Sequence, residues 1–194
     1  MLERIISGKR IMKKGYTRVT EILHHFSEIK HVDALILEKA AARGTRVHSI
    51  CEGIMKGVGV YEVEPHLQGY INSFLLWWMD GHEVIDIERR FYCDTHKISG
   101  KIDMIIKNPD GSLTIADFKT SANPSKTWFL QGSAYSYLAD VEGIKVKDVM
   151  FIKLSKMGKE PILFKHLPDE KLFFKVFDVY KYFYEKKPED PKND

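Results

Sequence analysis

Cysteine is scarce in this 194-residue chain, which has only Cys51 and Cys93. Two thiols neither form a disulfide framework nor supply the four ligands of a structural zinc site, so we expect reduced thiols. The sequence also has no apolar run of about 18 residues that would cross a membrane, and its start lacks the apolar segment of a secretory signal. These absences favour a cytoplasmic protein without a membrane partner, in preference to a mitochondrial one.

The chain has a small excess of positive charge, since 30 Lys and Arg residues against 27 Asp and Glu residues give a net charge of +3. That surplus does not by itself mark a non-specific nucleic-acid binder. The charge is unevenly placed, because residues 1–18 contain six basic residues and one acidic residue. With no Pro-, Gly- or Ser-rich linker dividing the chain, we predict a basic N-terminal arm (residues 1–16), one domain (residues 17–184) and a polar tail (residues 185–194).

The spacing of apolar residues changes from helical to strand-like near residue 82. Before that point, apolar side chains recur every three or four residues, which predicts an N-terminal portion of three helices, with Thr17 or Thr20 as a cap of the first. Beyond it, the pattern predicts strands over residues 84–93, 98–107 and 113–119, a helix from an Asn123-Pro124 cap to about Ala139, strands over 146–154 and 161–166, and a last amphipathic helix. This order predicts an α/β fold with a central mixed β-sheet flanked by helices.

Two aspartates and a lysine are expected to meet on the hairpin of the second and third strands. The Asn108–Gly111 segment has the residues of a tight turn, and pairing across it brings Asp103 beside Asp117. Because strand side chains alternate between faces, Lys119 projects from the same side as Asp117. Such a site suits Mg²⁺ or Mn²⁺, which prefer oxygen ligands. On the hairpin alone, an ordinary Asp–Lys pair on a solvated face is the alternative.

Two helices offer further candidates. Gly44, His48 and Glu52 are spaced four apart, so they share one helix face, and the glycine would let another backbone approach that face. The histidine is a candidate metal ligand, and a core histidine bonded to Glu52 is the alternative. Gln131 and Tyr135 are also four apart, on the helix after the third strand. Gln131 would contact a phosphate or brace the lysine strand. Tyr135 would stack or form a hydrogen bond.

These motifs occur together in an order that resembles a known family. G-x-x-x-H-x-x-x-E (Gly44 to Glu52), G-x-I-D (Gly100 to Asp103), D-x-K (Asp117 to Lys119) and Q-x-x-x-Y (Gln131 to Tyr135) resemble the RecB-type branch of the PD-(D/E)XK nuclease superfamily. The segment Thr17–Leu23 is similar to the start of phage exonucleases and of the mitochondrial genome-maintenance exonuclease in that branch. The resemblance covers about residues 17–139 and implies a restriction-endonuclease-like core.

The resemblance also implies roles for individual residues. His48, Asp103 and Asp117, together with the backbone carbonyl of Phe118, would bind Mg²⁺ or Mn²⁺, and Lys119 would orient or activate the attacking water. Glu52 and Glu88 would hold these ligands in position or bind a second metal ion. Gln131, Tyr135 and Trp128 would contact the substrate, with Trp128 as a platform on which unpaired bases stack. Trp77 and Trp78, which end an apolar helix, are expected in the core.

The activity implied is that of a metal-dependent deoxyribonuclease, an exonuclease on single-stranded DNA ends in replication, recombination or repair. Its partners would be DNA and recombination or replication proteins. Relatives that hold a 4Fe–4S cluster use four cysteines, so two cysteines exclude one here. No G-x-x-x-x-G-K-[ST] motif of a helicase is present in this sequence, so we expect a free-standing nuclease or one part of an assembly. A catalytically silent DNA-binding module and an adaptor with a merely salt-bridged site are the alternatives.

Overall fold

The computed structural model describes residues 13–27, 32–58 and 62–184. Its strands are β1 (Thr17–Arg18), β2 (Glu83–Cys93), β3 (Ile98–Lys107), β4 (Leu113–Lys119), β5 (Asp148–Lys153) and β6 (Ile162–His166). Its helices are α1 (Val19–His24), α2 (Ala34–Met55), α3 (Gln68–Trp78), α4 (Lys126–Val141) and α5 (Glu170–Tyr184). The predicted α/β architecture is confirmed. Most of the predicted basic arm and the whole predicted tail lie outside the described residues.

All six strands form one mixed sheet in which β3 has three neighbours. β2 runs antiparallel along the whole of β3, while β4 pairs only with its second half, from Met104↔Ala116 to Lys107↔Leu113. The short strand β1 pairs in parallel with the first half of β3, at Ile98 and Ser99. β5 lies parallel to β4, and β6 is antiparallel to β5. β3 and β4 therefore separate beyond Met104, and the gap between them opens towards β1.

Helices cover both faces of the sheet. On one face, α1, α4 and α5 enclose an apolar core that includes Ile98, Phe151 and Phe173. On the other face, α2 and α3 pack around a second core that includes Phe74 and Phe118. Burial of these side chains from water is the main stabilising contribution to this three-layer arrangement. Within the described ranges, no helix is both long and apolar enough to cross a bilayer.

Two local predictions are wrong. Thr17 does not cap the first helix, because Thr17 and Arg18 form β1, and α1 then begins at Val19 without a side-chain cap. Asn123-Pro124 does not begin α4. The helix starts two residues later, where the Ser125 hydroxyl accepts a hydrogen bond from the Thr127 amide. Both errors concern the capping residue, which depends on contacts that the local spacing of apolar residues does not contain.

Candidate active site

The fork between β3 and β4 brings the two predicted aspartates together. The last paired residues are Met104 and Ala116, so Asp103 and Asp117 are the next residues on the two strands as they separate. Beyond this point the Phe118 amide has left the β3–β4 ladder, and it donates to Oδ2 of Asp103 over 2.8 Å. Both aspartates are buried, at 5% and 2% exposure. The sheet thus places two carboxylates at an internal position where a charged group needs a partner.

His48 provides the partner for Asp103. Its Nδ1 atom lies 3.1 Å from Oδ2 of Asp103, from the middle of α2. Burial lowers the pKa of His48, but the Asp103 carboxylate outweighs burial and raises this pKa to about 9. Burial likewise acts to raise the pKa of Asp103, yet the His48 charge and the Phe118 amide hold it below its usual range. The two side chains therefore form an ion pair at neutral pH when no cation is bound.

Lys119 and Gln131 enclose the other aspartate. Lys119 Nζ lies 2.6 Å from Oδ2 of Asp117 and donates to Oε1 of Gln131 over 2.8 Å. The Gln131 amide nitrogen donates in turn to Oδ1 of Asp117 over 2.9 Å. Burial raises the pKa of Asp117 to about 6, with a further contribution from Asp103 and despite the neighbouring Lys119. Its Oδ2 atom is fully buried and is held in the ion pair with Lys119.

Glu88 adds a third carboxylate from β2. Its side chain is 3% exposed and forms an ion pair with Lys101, and burial raises its pKa to about 7. Its backbone has a φ of 54°, which is strained for a residue with a side chain inside a strand. One ligand atom each from His48, Glu88 and Asp103 lie within 4.8 Å of one another. This spacing is small enough for one divalent cation to contact all three residues.

A cavity of about 270 Å³ connects these groups. His48, Asp103, Asp117, Lys119, Gln131 and Tyr135 all line it. Sequence reasoning missed other lining residues, among them Arg18, Arg90 and Ser99. Arg90 has no ion pair within the described part of the chain, and the buried Ser99 hydroxyl has no hydrogen-bond partner there. Arg90 and Ser99 had no signal in the sequence, because only the placement of β1 and β2 around β3 brings them to the cavity.

Other predicted site residues are placed differently. Glu52 lies one turn beyond His48 but forms an ion pair with Lys56 (2.6 Å), so it is neither the partner of His48 nor a member of the carboxylate cluster. Trp128 was predicted to stack on bases, which is wrong for this arrangement: the residue is 8% exposed and its ring stacks on Phe151. Lys119 Nζ lies 5.9 Å from the centre of that ring, so Trp128 supports the lysine from the core.

Tyr135 and Phe118 are buried next to the site. A Cβ atom on Gly100 would lie 2.6 Å from the Tyr135 ring, so the glycine of the G-x-I-D motif provides room for this tyrosine. The Phe118 side chain packs in the core on the α2–α3 face, and its amide fixes Asp103. The predicted role of the Phe118 carbonyl as a metal ligand stays a prediction.

The donor set fits a divalent cation. Two carboxylates and one imidazole line the cavity, and the Glu88 carboxylate lies within reach of His48 and Asp103. Oxygen-rich sites of this kind suit Mg²⁺ or Mn²⁺. The carboxylate pair is also electrostatically unfavourable without a cation, since the charge of Asp103 raises the pKa of Asp117. The Asp117 carboxylate lines the cavity and offers one further ligand atom. Lys119 stands beside the carboxylates, where it can hold a water molecule or a phosphate oxygen.

Comparison with known proteins shows which family this chain matches. The sequence profile of the PD-(D/E)XK nuclease superfamily matches residues 66–171, more than half of the chain. The solved structure of SSO0001 is 13% identical with a TM-score of 0.51, and the match covers 91% of this chain and 79% of that one. An alkaline exonuclease from Laribacter hongkongensis is 9% identical with a TM-score of 0.48, with 87% and 86% of the two chains covered. No curated protein sequence matches significantly.

Proposed function

This chain belongs to the PD-(D/E)XK nuclease superfamily, and from that premise we propose that it is a divalent-metal-dependent deoxyribonuclease. It hydrolyses phosphodiester bonds as an exonuclease on single-stranded DNA ends. The preference for single-stranded ends comes from the resemblance to the RecB-type branch. A role in replication, recombination or repair, with proteins of those processes as partners, follows from the same resemblance.

One observation carries the proposal. Asp103, Asp117 and Lys119 line a single cavity at the fork of two strands, and each has a buried partner that fixes its position. A structural salt bridge needs no space around it, whereas here both carboxylates and the lysine line a cavity of about 270 Å³ that can admit a cation and a phosphate group. A buried carboxylate with a raised pKa, such as Asp117, in the wall of a cavity supports a functional site over a structural one.

Asp103 and Asp117, with His48 and the Phe118 carbonyl, would hold the cation, and Glu88 is the further ligand that lies within reach. Members of this superfamily generally use divalent metal ions. When bound, the cation would lower the pKa of a water molecule and neutralise charge on the phosphoryl oxygens. Binding at His48 requires the neutral imidazole, so the proton shared with Asp103 would leave first.

Lys119 positions the attacking water and polarises it through its ammonium group. Its Nζ atom is held by Asp117 and Gln131, so its position is fixed before substrate arrives. Gln131 is a positioning residue, because it contacts both Lys119 and Asp117 through the two ends of one amide. Arg90 and Arg18 line the same cavity and would offset the negative charge of the phosphates that flank the scissile bond.

Digestion of end-labelled DNA tests the proposal. The wild-type protein is incubated with linear single-stranded, linear double-stranded and covalently closed single-stranded DNA in Mn²⁺, with an EDTA control. We expect progressive shortening of the linear single strand, slower loss of the duplex and survival of the circle. Cutting of the circle at a comparable rate identifies an endonuclease. The absence of any Mn²⁺-dependent cutting contradicts the nuclease assignment and favours a silent DNA-binding module.

A further inference from the structure

A second cavity lies directly beside the active-site cavity. It has a volume of about 450 Å³, and its basic lining residues are Arg43, Lys153, Lys156 and Lys159, which we call the cationic cleft. The two cavities meet along the chain at the end of β4, where Lys119 lines the first and the next residue, Thr120, lines the second. Arg43 donates to the Thr120 carbonyl over 3.4 Å. The cleft thus begins one residue from the proposed catalytic lysine.

The positive charge of the cleft is not compensated. Among the described residues that line it, Glu160 is the acidic one, and none of the four cations forms an ion pair within the described part of the chain. Lys153 is also the register partner of Lys119 on the adjacent parallel strand, which places two ammonium groups on neighbouring strands. Nε of Arg43 is buried without a hydrogen-bond partner. Uncompensated cations gathered in a concave surface favour an anionic ligand.

The loop that carries two of the lysines is held in place. In the segment 155–160, the Ser155 amide donates to the Ser73 hydroxyl of α3 over 2.9 Å, and the Met157 amide donates to the Ser155 hydroxyl over 3.2 Å. A Cβ atom on Gly69 of α3 would overlap the Lys156 carbonyl, so the helix and the loop are in direct backbone contact. The backbone that carries Lys156 and Lys159 is therefore fixed in position at the cleft.

We propose that the cationic cleft binds the backbone phosphates of the DNA strand on one side of the scissile bond. This inference rests on the proposed function, since it names where the strand lies when its phosphodiester is in the active-site cavity. A polynucleotide is the ligand that presents several phosphates in a row, and the active-site cavity and the cleft follow one another along Lys119 and Thr120. Each lysine–phosphate contact would release a counterion, so the binding should depend on salt.

The salt dependence of DNA binding tests the cleft. Affinity for a 5′-fluorescein oligo-dT is measured in Ca²⁺ over a series of KCl concentrations for the wild type and for Lys156→Ala/Lys159→Ala. Both lysines are exposed, so their truncation leaves the core intact. If both contact phosphates, the slope of log affinity against log salt should flatten by about 1.4 units, at about 0.7 for each single-strand contact. The charge-reversed Lys156→Glu/Lys159→Glu variant should bind more weakly still.

The matched control is Lys171→Ala/Lys175→Ala, which removes the same charge from exposed positions on α5. We expect the control to keep the wild-type slope. An equal change in both double variants would mean that only net charge matters, and an unchanged slope in the cleft variants would mean that the strand lies elsewhere. Either result overturns the inference. If the wild type cuts DNA in Mn²⁺ and the cleft variants bind DNA like the wild type, the proposed role of the cleft is wrong but the proposed nuclease function stands. If the wild type does not cut DNA at all, the proposed nuclease function is wrong as well.

Discussion

Gln131 joins the two groups of opposite charge at the site through one amide. The amide oxygen accepts a hydrogen bond from Lys119, and the amide nitrogen donates one to Asp117. A flip of the amide by 180° would therefore break both bonds. The residue is 7% exposed, which keeps water from competing for these bonds. Of the two roles that the sequence left open for Gln131, contact with a phosphate or bracing of the lysine strand, the hydrogen bonds agree with bracing.

The ion pair of His48 and Asp103 makes stability depend on pH above neutrality. The pKa of His48 is raised from 6.5 to about 9 in the folded protein, so its stabilising contribution is complete below pH 6.5 and is lost as the pH rises through 9. In EDTA, the free energy of unfolding of the wild type should fall by about 1–3 kcal/mol between pH 6.5 and 9. Urea unfolding at the two pH values measures it.

The His48→Gln variant is the control for this prediction, because its amide does not titrate. Its stability should change far less over the same range. The raised pKa of Asp117, about 6, causes a loss of stability from about pH 4 to 6, below the window used. The raised pKa of Glu88, about 7, causes a loss that ends near the start of the window and that the variant shares with the wild type. A parallel fall of wild type and variant would show that His48 is not protonated by its contact with Asp103.

The two buried aspartates should make a divalent cation stabilising. Mn²⁺ relieves the repulsion between them, and binding only to the folded state adds about 2.7 kcal/mol at a hundredfold excess over Kd. Mn²⁺ should therefore raise the Tm of the wild type. Asp103→Asn/Asp117→Asn should abolish this response, whereas Asp140→Asn/Asp178→Asn, with the same charge change at exposed positions, should keep it. An unchanged Mn²⁺ response in the first double variant refutes the ligand set.

At the scale of elements, one glycine couples two of the sequence motifs. Gly100 on β3 leaves the room that Tyr135 and Leu138 of α4 fill, so the helix that carries Gln131 packs directly on the strand that carries Asp103. The sequence motif indicated only that these residues occur in order. The structure gives the physical reason, since any side chain at position 100 would push α4, and Gln131 with it, away from the carboxylates.

Substitution of two glycines by alanine should have opposite effects on stability. In Gly100→Ala the new Cβ would lie 2.6 Å from the Tyr135 ring and 2.9 Å from Leu138, which should destabilise the protein by about 1–3 kcal/mol. In Gly44→Ala the Cβ would lie 3.6 Å from the Thr120 hydroxyl, an ordinary contact. Because alanine favours a helix interior, this change should stabilise by about 0.5–1 kcal/mol. Equilibrium urea unfolding compares the two, and a neutral Gly100→Ala would contradict the packing argument.

Local sequence signals predicted the hairpin well and its surroundings less well. The turn at Asn108–Gly111 and the alternation of apolar residues gave the exact bounds of β3 and β4, and hence the meeting of Asp103 and Asp117. β1 was missed because it is only two residues long and exists through pairing with residues that lie 81 positions away in sequence. Gly44 was expected to allow a close backbone approach, but an ordinary contact with Thr120 is found.

At the scale of the molecule, the site is made by both faces of the sheet. His48 approaches from the α2–α3 side and contacts Asp103, while Gln131 approaches from the α4 side and contacts Asp117, and the fork of β3 and β4 brings these two carboxylates together. The spacing of residues along the sequence does not show that the two helices meet at these carboxylates. It also does not show that Trp128 is buried and lies against Lys119. The fold therefore gathers His48, Asp103, Asp117 and Lys119 at one cavity, where removal of one of these groups should remove the chemistry.

Lys119→Ala tests the central claim most directly, by the rate at which it cuts end-labelled linear single-stranded DNA in Mn²⁺. The lysine is assigned to the attacking water, so its loss should lower the rate by about 10²–10⁴-fold. Binding of the same DNA in Ca²⁺ should stay within a few-fold of wild type, because one lost contact has little effect on affinity. Lys107→Ala, which removes a lysine paired with Glu83 at the far end of β3, should cut normally. Cutting by Lys119→Ala at a rate near that of the wild type would contradict the account.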